Sequence, residues 1–554
     1  MVSVLYPITR VGDDAVEWSD ATWIGAASQE DLTERIVLDE AEKYASARIL
    51  VWSGDQPRGF VQVPVREGVV DHVALADKVA ALPDVTARPS VVNLPPVTVV
   101  VCTRDRPDQL SDMMNSLAHL DYPNFELLVV DNNPASGLTA PVVEEFDAVP
   151  ARLATAVGKG LSIARNVALR AAHHDIVAFT DDDVIVEKSW LKNLVYGFAR
   201  DAGVVCVCGM VPSAEVRTPA QSYFDRRVDW AQTCEPALFD LANPPEGEPL
   251  FPFRVAFYGT GANFAIRRDV AIALGGFDEG MGAGSPTAGG EDIDMFSRVL
   301  LAGHMLAREP SAVVWHCHRR TTKDLEHQIY TYGLGLGAWF TKLALQPRTA
   351  IMAARRVGPG LRHLRSVTVV EPDHTAAPEP ALDGLHRTEL RGVLTGPWAL
   401  VKARFSGRSA APLKLASNSL TRAFAFRSGQ NWGDPGNSIA SGRLAAAGGV
   451  LALCGLLGSI GVLPSALRAL LVGALVLAAP GCLILSWYVD RIPPAATTSL
   501  VPALSLAITM LTITIPLMAG FFEPRVFLLV LATACLVGSL LRCGGLARRA
   551  EAPS

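Results

Sequence analysis

Hydrophobic positions along this chain change their spacing several times, and each change marks a different element. Residues 48–65, "RILVWSGDQPRGFVQVPV", alternate apolar and polar on both sides of a Gly/Asp/Pro turn, which predicts a β-hairpin. It falls within a small N-terminal α/β module, residues 1–95, that carries no chemistry of its own and reads as a structural or docking appendage. From residue 96 the spacing differs. "PVTVVVCT" (96–103), "FELLVVDNN" (125–133) and "DIVAFTDDD" (175–183) hold unbroken apolar runs of strand length. Between them "DQLSDMMNSLAHL" (108–120) and "GLSIARNVALRAAHH" (160–174) repeat at helical spacing. Fully apolar strands alternating with helices predict an α/β domain over 96–340 whose sheet is mostly parallel and covered on both faces. Ligands of such sheets gather at the carboxyl ends of the strands. "CTRDRP", "DNN" and "DDD" all fall there.

The pattern changes twice more. Residues 341–443 carry many basic residues and no strand pattern. "IMAARRVGPGLRHLRS" and "PWALVKARFSGR" mix apolar and basic positions as helices lying on a membrane surface do, although a solvated linker has the same composition. Four apolar stretches follow, at 444–463, 469–489, 499–521 and 526–541. The first three reach the ~20 residues that cross a bilayer, and the last is short. Basic residues on the leading flank (Arg422, Arg427, Arg443) and in the tail, 542–554 (Arg542, Arg548, Arg549), place both ends on the cytoplasmic side. The expectation is a multi-pass cell-membrane protein with a helical membrane domain and a cytoplasmic catalytic domain.

Composition narrows the partners. The net charge of −6 over 554 residues implies no general affinity for nucleic acid. Nine scattered cysteines show no metal-ligand spacing, and an odd count argues against a disulfide framework. The opening "MVSVLYPITRVGDD" lacks a basic start and apolar core, so no signal peptide is expected.

The chemistry centres on Asp181, Asp182 and Asp183. Three carboxylates at the end of a buried strand repel one another and any phosphate, unless a divalent cation intervenes. Mg2+ or Mn2+ prefers carboxylate oxygens and shares its shell with substrate phosphates. By itself such a run is more commonly a solvated turn or a helix cap. Its surroundings weigh on that choice. "VTVVVCTRDRP", "FELLVVDNN", "KGLSIARNVAL", "IVAFTDDDV", "GTGANFAIRRDV", "GGFDEGMGAG", "GGEDIDMFSRVLLAG" and "VVWHCHRRTTKDLEHQIYTYGLGLGA" occur in this order. The series, over about residues 96–340, resembles the family 2 glycosyltransferases, inverting nucleotide-sugar enzymes with a Rossmann-like GT-A fold.

That resemblance implies roles. Thr103, Arg104 and Asp105 would hold the nucleotide, and Asp131 would accept from the base, or else cap the turn that follows it. Gly160, Arg165 and Asn166 would lie near the nucleotide. Asp181 and Asp183 match the outer positions of the DxD element, with Asp182 on metal or ribose. One histidine of His316 and His318 would complete the metal shell; His316 is preferred, and only one of the two is expected to face the site. Asp292 matches the general base, with Glu291 beside it, although an aspartate there also caps a helix. Gly261, Asn263, Gly290 and His318 would lie on the acceptor side.

The resulting expectation is a membrane-anchored enzyme that transfers one sugar, with inversion, from a nucleotide-diphosphate sugar to a lipid-linked or cell-envelope saccharide. The main alternative is a processive polysaccharide synthase; residues 300–345 lack the Q-x-x-R-W element of those relatives. A non-catalytic membrane scaffold would not need the intact carboxylates. A dinucleotide-dependent dehydrogenase would carry a GxGxxG after its first strand, where this chain has "CTRDRP".

Overall fold

The computed structural model describes residues 2–10, 16–33, 35–85, 88, 91, 93–228, 230–231, 233–254, 257–346, 348–353, 356, 384–415, 437–459, 464–486, 501–502, 504–505, 508–509 and 523–550. They divide into two compact units, 1–426 and 427–554.

The first unit opens with six strands: β1 (Val2–Leu5), β2 (Thr22–Ser28), β3 (Arg35–Leu38), β4 (Ser46–Ser53), β5 (Gln56–Arg66) and β6 (Val69–Val70). They form one sheet in the order β1-β3-β6-β5-β4-β2, followed by helix α1 (His72–Ala80). The expected hairpin is β4–β5, turning at Gly54 with φ +61°. One face of this sheet continues into the next layer: Ile24, Leu50 and Trp52 share a core with Met210, Val216, Val313 and Trp315. Arg48 grips Asp225 through both carboxylate oxygens at 2.8 and 3.0 Å.

The second, central sheet has nine strands. They are β7 (Val97–Thr103), β8 (Phe125–Asp131), β9 (Ala151–Thr155), β10 (Ile176–Thr180), β11 (Val184–Val186), β12 (Val204–Met210), β13 (Ala237–Phe239), β14 (Asn263–Arg267) and β15 (Met305–His316). Their order is β11-β15-β12-β14-β10-β7-β8-β9, with β13 beside β15. Helices α2 (Pro107–Leu117), α3 (Thr139–Glu145), α4 (Leu161–Ala171), α5 (Trp190–Phe198), α6 (Pro219–Arg227), α7 (Arg268–Ala273) and α8 (Glu291–Leu301) link and cover the strands. The apolar runs read as strands are buried on both faces: every residue of β10 and β12 is buried.

The expectation of a mostly parallel sheet is corrected. β7, β8, β9 and β10 run parallel, but β14 enters between β10 and β12 antiparallel to both, and β11 and β13 pair antiparallel with β15. A parallel neighbour needs a crossover that returns the chain to the same end of the sheet. The chain leaves β12 for an excursion through α6 and β13 and re-enters at the edge where β12 ended, so β14 is inserted reversed.

Two longer helices complete this unit, α9 (Thr322–Leu345) and α10 (Leu385–Phe405). They run parallel and in near backbone contact. A methyl group on Gly333 would strike the Glu389 carbonyl, one on Gly337 the Val393 carbonyl, and one on Gly392 the Tyr330 carbonyl. Residues 385–415, read from composition as part of a linker, are thus packed structure. "IMAARRVGPGLRHLRS" falls largely outside the described residues.

In the second unit, α11 (Asn437–Ser459), α12 (Ser465–Leu485) and α13 (Pro524–Ala550) share a small apolar core of Ala452, Leu475, Ala479, Ala532 and Cys535. Two segments, Leu467–Leu485 and Pro524–Leu541, are long and apolar enough to cross a membrane, and Leu444–Ser459 is a shorter apolar helix. The last stretch, expected to be short, lies within a 27-residue helix. The stretch expected at 499–521 lies mostly outside the described residues.

Candidate active site

Strand direction assembles the site. β7, β8 and β10 are mutually parallel. β15 runs parallel to β12, and β12 opposes β14 just as β10 does, so β15 points the same way as β10. The carboxyl ends of all four strands therefore share one edge. Thr103 ends β7, Asp131 ends β8, Asp181–Asp183 follow β10 and His316 ends β15.

Asp181, Asp183 and His316 present ligand atoms within 4.8 Å of one another. Two hard carboxylate oxygens and one imidazole suit Mn2+ or Mg2+. Electrostatics fit the same conclusion. Burial raises the Asp181 pKa, opposed by Arg165 and reinforced by Asp183. Burial pushes Asp182 up to about 6 against the pull of Arg106. Carboxylates held together in this way gain most from an added cation.

Asp182 is turned inward. It accepts from the Thr103 hydroxyl at 2.7 Å and from Arg106 Nη1 at 2.9 Å, and Arg106 also reaches Asp183 at 3.2 Å. Arg319 stands 3.7 Å from Asp183. Arg106 was not singled out from the sequence; the basic flank of "CTRDRP", ending one strand beside an acidic strand end, was the available signal.

The second half of the site comes from α8. Gly290 precedes it with φ +89°, and a methyl group there would stand 2.8 Å from the Gly335 carbonyl of α9, so glycine lets the two elements close up. Glu291 and Asp292 occupy the first turn, where the helix dipole favours anions. Asp292 is oriented by two backbone donors, Gly261 N–H at 2.8 Å to Oδ2 and Ile293 N–H at 2.8 Å to Oδ1. Burial pushes Glu291 up to about 7, with Asp292 adding and Arg165 opposing. Arg165 is the tie between halves: buried, it donates to Glu291 at 3.1 Å and to the Gly261 carbonyl at 2.9 Å, and stands 3.5 Å from Asp181.

On the β7–β8 side, Asp131 Oδ1 accepts from Asn133 N–H at 2.8 Å, the turn-capping arrangement. Asn133 donates to Asp105 at 2.8 Å, the first cause of a lowered Asp105 pKa. Arg104 donates to the Asn132 carbonyl. Asn132, also not singled out beforehand, accepts from Gly160 N–H at 2.8 Å and donates to the Gly158 carbonyl at 2.7 Å, fixing the loop that opens α4.

Two expected site residues serve the scaffold instead. Asn166 spends its amide on the backbone of Phe277, at 2.9 and 2.7 Å. Asn263, fully buried, bonds the Met210 and Ala312 carbonyls and the Trp190 indole. Of His316 and His318 only His316 joins Asp181 and Asp183, although the two rings lie on the same side of the chain. Residues two apart on an extended chain share a face, and the two rings stack with centroids 4.9 Å apart. His316 takes the place beside Asp183, at 3.5 Å, and His318 is buried next to it against Phe224.

Part of the chain is similar in sequence to known proteins. Residues 98–275 match the family model described as Glycosyl transferase family 2. The match includes Asp181–Asp183 and stops before Glu291, Asp292 and His316. A pre-mycofactocin glycosyltransferase of Mycobacterium tuberculosis is 30% identical over 271 residues, 48% of this chain and 51% of its own length. A glucosyl-dolichyl phosphate glucuronosyltransferase of Haloferax volcanii is 29% identical over 199 residues, 34% of this chain and 57% of its own. The chain thus spans about half the length of the curated relatives it matches. Among solved structures, a mannosyltransferase of Pyrobaculum calidifontis in complex with GDP-Man and Mn2+ aligns at 19% identity and a TM-score of 0.34, covering 76% of this chain and 94% of that one.

Proposed function

We propose that this protein is a membrane-anchored, inverting, GT-A-type glycosyltransferase. It moves one sugar from a nucleotide-diphosphate sugar to a lipid-linked or cell-envelope saccharide. The observation that carries this reading is the convergence of an Asp181–Asp183–His316 cluster with the Glu291–Asp292 pair, joined through Arg165.

Asp181, Asp183 and His316 would hold a divalent cation, which when bound supplies Lewis-acid neutralisation of the departing diphosphate. The protein's own groups do the rest. Thr103, Arg104, Asp105 and Asp131, with the Gly160 loop, border the nucleotide side. Asp182 is held by Thr103 and Arg106 where it can meet ribose. Asp292, aimed by the Gly261 and Ile293 amides, takes the proton of the acceptor hydroxyl as that oxygen attacks the sugar carbon from the side opposite the leaving group. Glu291 and Gly290 set the position of that carboxylate, and Gly261 lies on the acceptor side.

Membrane attachment is supported by Leu467–Leu485 and Pro524–Leu541. It is supported too by a row of exposed apolar side chains on α10, Leu390, Leu394, Trp398, Val401 and Phe405, at helical spacing. Exposed Arg387, Arg391 and Lys402 stand on the same helix, a composition suited to an anionic lipid surface. A cytoplasmic catalytic domain follows from the basic flanks.

The test is a screen of UDP-, GDP- and dTDP-sugars with the purified full-length chain, with Mn2+, with Mg2+ and with EDTA. Turnover of one donor class that depends on the metal is the expected result. Full turnover in excess EDTA would overturn the reading.

A further inference from the structure

The mechanism above leaves an aromatic cluster unused. Phe224 of α6, Trp230, His318 and Tyr332 of α9 meet with ring centroids 4.6 to 6.4 Å apart: Phe224–His318 4.6 Å, Phe224–Trp230 5.5 Å, Phe224–Tyr332 5.9 Å, Trp230–His318 6.3 Å and Trp230–Tyr332 6.4 Å. Buried aromatic clusters are ordinary core. This one differs in exposure and place. Phe224 and His318 are buried, but Tyr332 is 43% exposed and Trp230 only half-buried, so the cluster has an inner layer and an outer one.

Its place is defined at both ends by the site. His318 stacks on His316, the candidate metal ligand. Tyr332 lies on the turn of α9 whose Thr331 carbonyl lies against Gly289 and whose Gly335 carbonyl crowds Gly290, directly before Glu291 and Asp292. The hydroxyl end of Tyr332 is crowded, which raises its pKa, and the carboxylates of Asp292, Asp181 and Asp183 add to that rise. The cluster therefore spans from the metal side to the base side. It does so at β15, separated from the nucleotide-side strand β7 by β12, β14 and β10.

Flat aromatic faces suit one class of ligand found at such a site. The C–H face of a pyranose is apolar with slightly positive hydrogens and packs on the electron-rich face of an aromatic ring, while its hydroxyls seek donors and acceptors at the edge. Both ring nitrogens of His318 lack a hydrogen-bond partner among the described residues, although the ring is buried. That leaves polar capacity beside the platform.

We infer that Trp230 and Tyr332, backed by Phe224 and His318, form a stacking platform for a sugar ring of the acceptor. This rests on the glycosyltransferase reading above, and the experiment separates the two. The full-length chain would be compared with Trp230→Ala, Tyr332→Ala, Trp230→Phe and Tyr332→Phe. Methyl glucoside, galactoside and mannoside serve as probes, both as acceptors in steady-state transfer and as ligands in saturation-transfer NMR.

The alanine variants should raise the acceptor KM about tenfold or more, with kcat and donor KM within about twofold, and should lose most NMR saturation of the glycoside ring protons. The phenylalanine variants, which keep a flat ring, should retain most of both. An unchanged acceptor KM, a rise in donor KM in its place, or no saturation of any probe by the wild-type chain would overturn the platform. A wild-type chain that turns over no nucleotide sugar, yet saturates the glycosides through Trp230 and Tyr332, would instead overturn the enzymatic reading alone.

Discussion

Asp292 occupies a position where a carboxylate has two physically different uses. Its place in the first turn of α8 suits a helix cap, and its side chain does bond a neighbouring amide, Ile293 N–H. The second bond, to Gly261 N–H from the loop before β14, is what a cap does not require. Asn in its place keeps an oxygen for one of these amides and loses the proton acceptor. Asp292→Asn should lower transfer by at least about 10²-fold while nucleotide affinity, read by titration calorimetry, stays near wild type. Wild-type transfer in that variant would remove Asp292 from the role of base. At this same scale the acidic run was legible in the sequence as three adjacent carboxylates, but not its division of labour. Asp181 and Asp183 turn toward His316, while Asp182 turns toward Thr103 and Arg106. Neighbours in sequence separate here because their partners come from other strands.

Among elements, α8, α9 and α10 are locked by a buried ionic network. Asp278, on the "GGFDEGMGAG" loop, accepts from Lys342 at 2.7 Å and from Arg404 at 2.6 and 2.7 Å. Lys342 also meets Asp294 at 2.6 Å, and Asp294 accepts from Arg298 at 2.7 Å. Burial works to raise the Asp278 pKa, but the bonds from Arg404 and Lys342 outweigh it and hold the carboxyl at about 2. A carboxyl depressed on folding contributes stability above its ordinary pKa and loses it as pH falls toward the folded value. From the size of the shift that contribution is about 2 kcal/mol. The melting-temperature gap between wild type and Asp278→Asn should be widest from pH 5 to 7 and should narrow as pH falls from 4 to 2. A gap that does not change with pH would place the stability of this network elsewhere. The sequence placed Asp292 at the start of a helix, α8, and assigned no element to the stretch that forms α9. It could not pair Asp278 with Arg404, because nothing local links residues 126 positions apart.

For the first unit as a whole, the N-terminal sheet is a wall of the same core, not a loose appendage. Ile24, Leu50 and Trp52 cover Met210, Val216, Val313 and Trp315, beside the end of β15 that carries His316. Arg217, beneath that layer, donates to Tyr44 at 2.9 Å, and Arg48 holds Asp225 of α6. Deleting residues 1–95 would expose this apolar layer and strip both partners. The truncated chain should melt at least about 5 °C lower and lose metal-dependent turnover through a displaced His316. Unchanged melting and turnover would make the module dispensable.

Local spacing along the chain was enough to mark the buried strands, their covering helices, the carboxylate run and the apolar helices of the second unit. Each of these depends on the period or length of a short stretch, and near neighbours set both. The reversed direction of β14, the shared face of His316 and His318, the bond from Arg165 to Glu291 and the aromatic cluster around Phe224 needed the folded chain. Those contacts follow from strand order and from which loops meet at one sheet edge. They depend on the packing of the whole layer, which no window of residues contains.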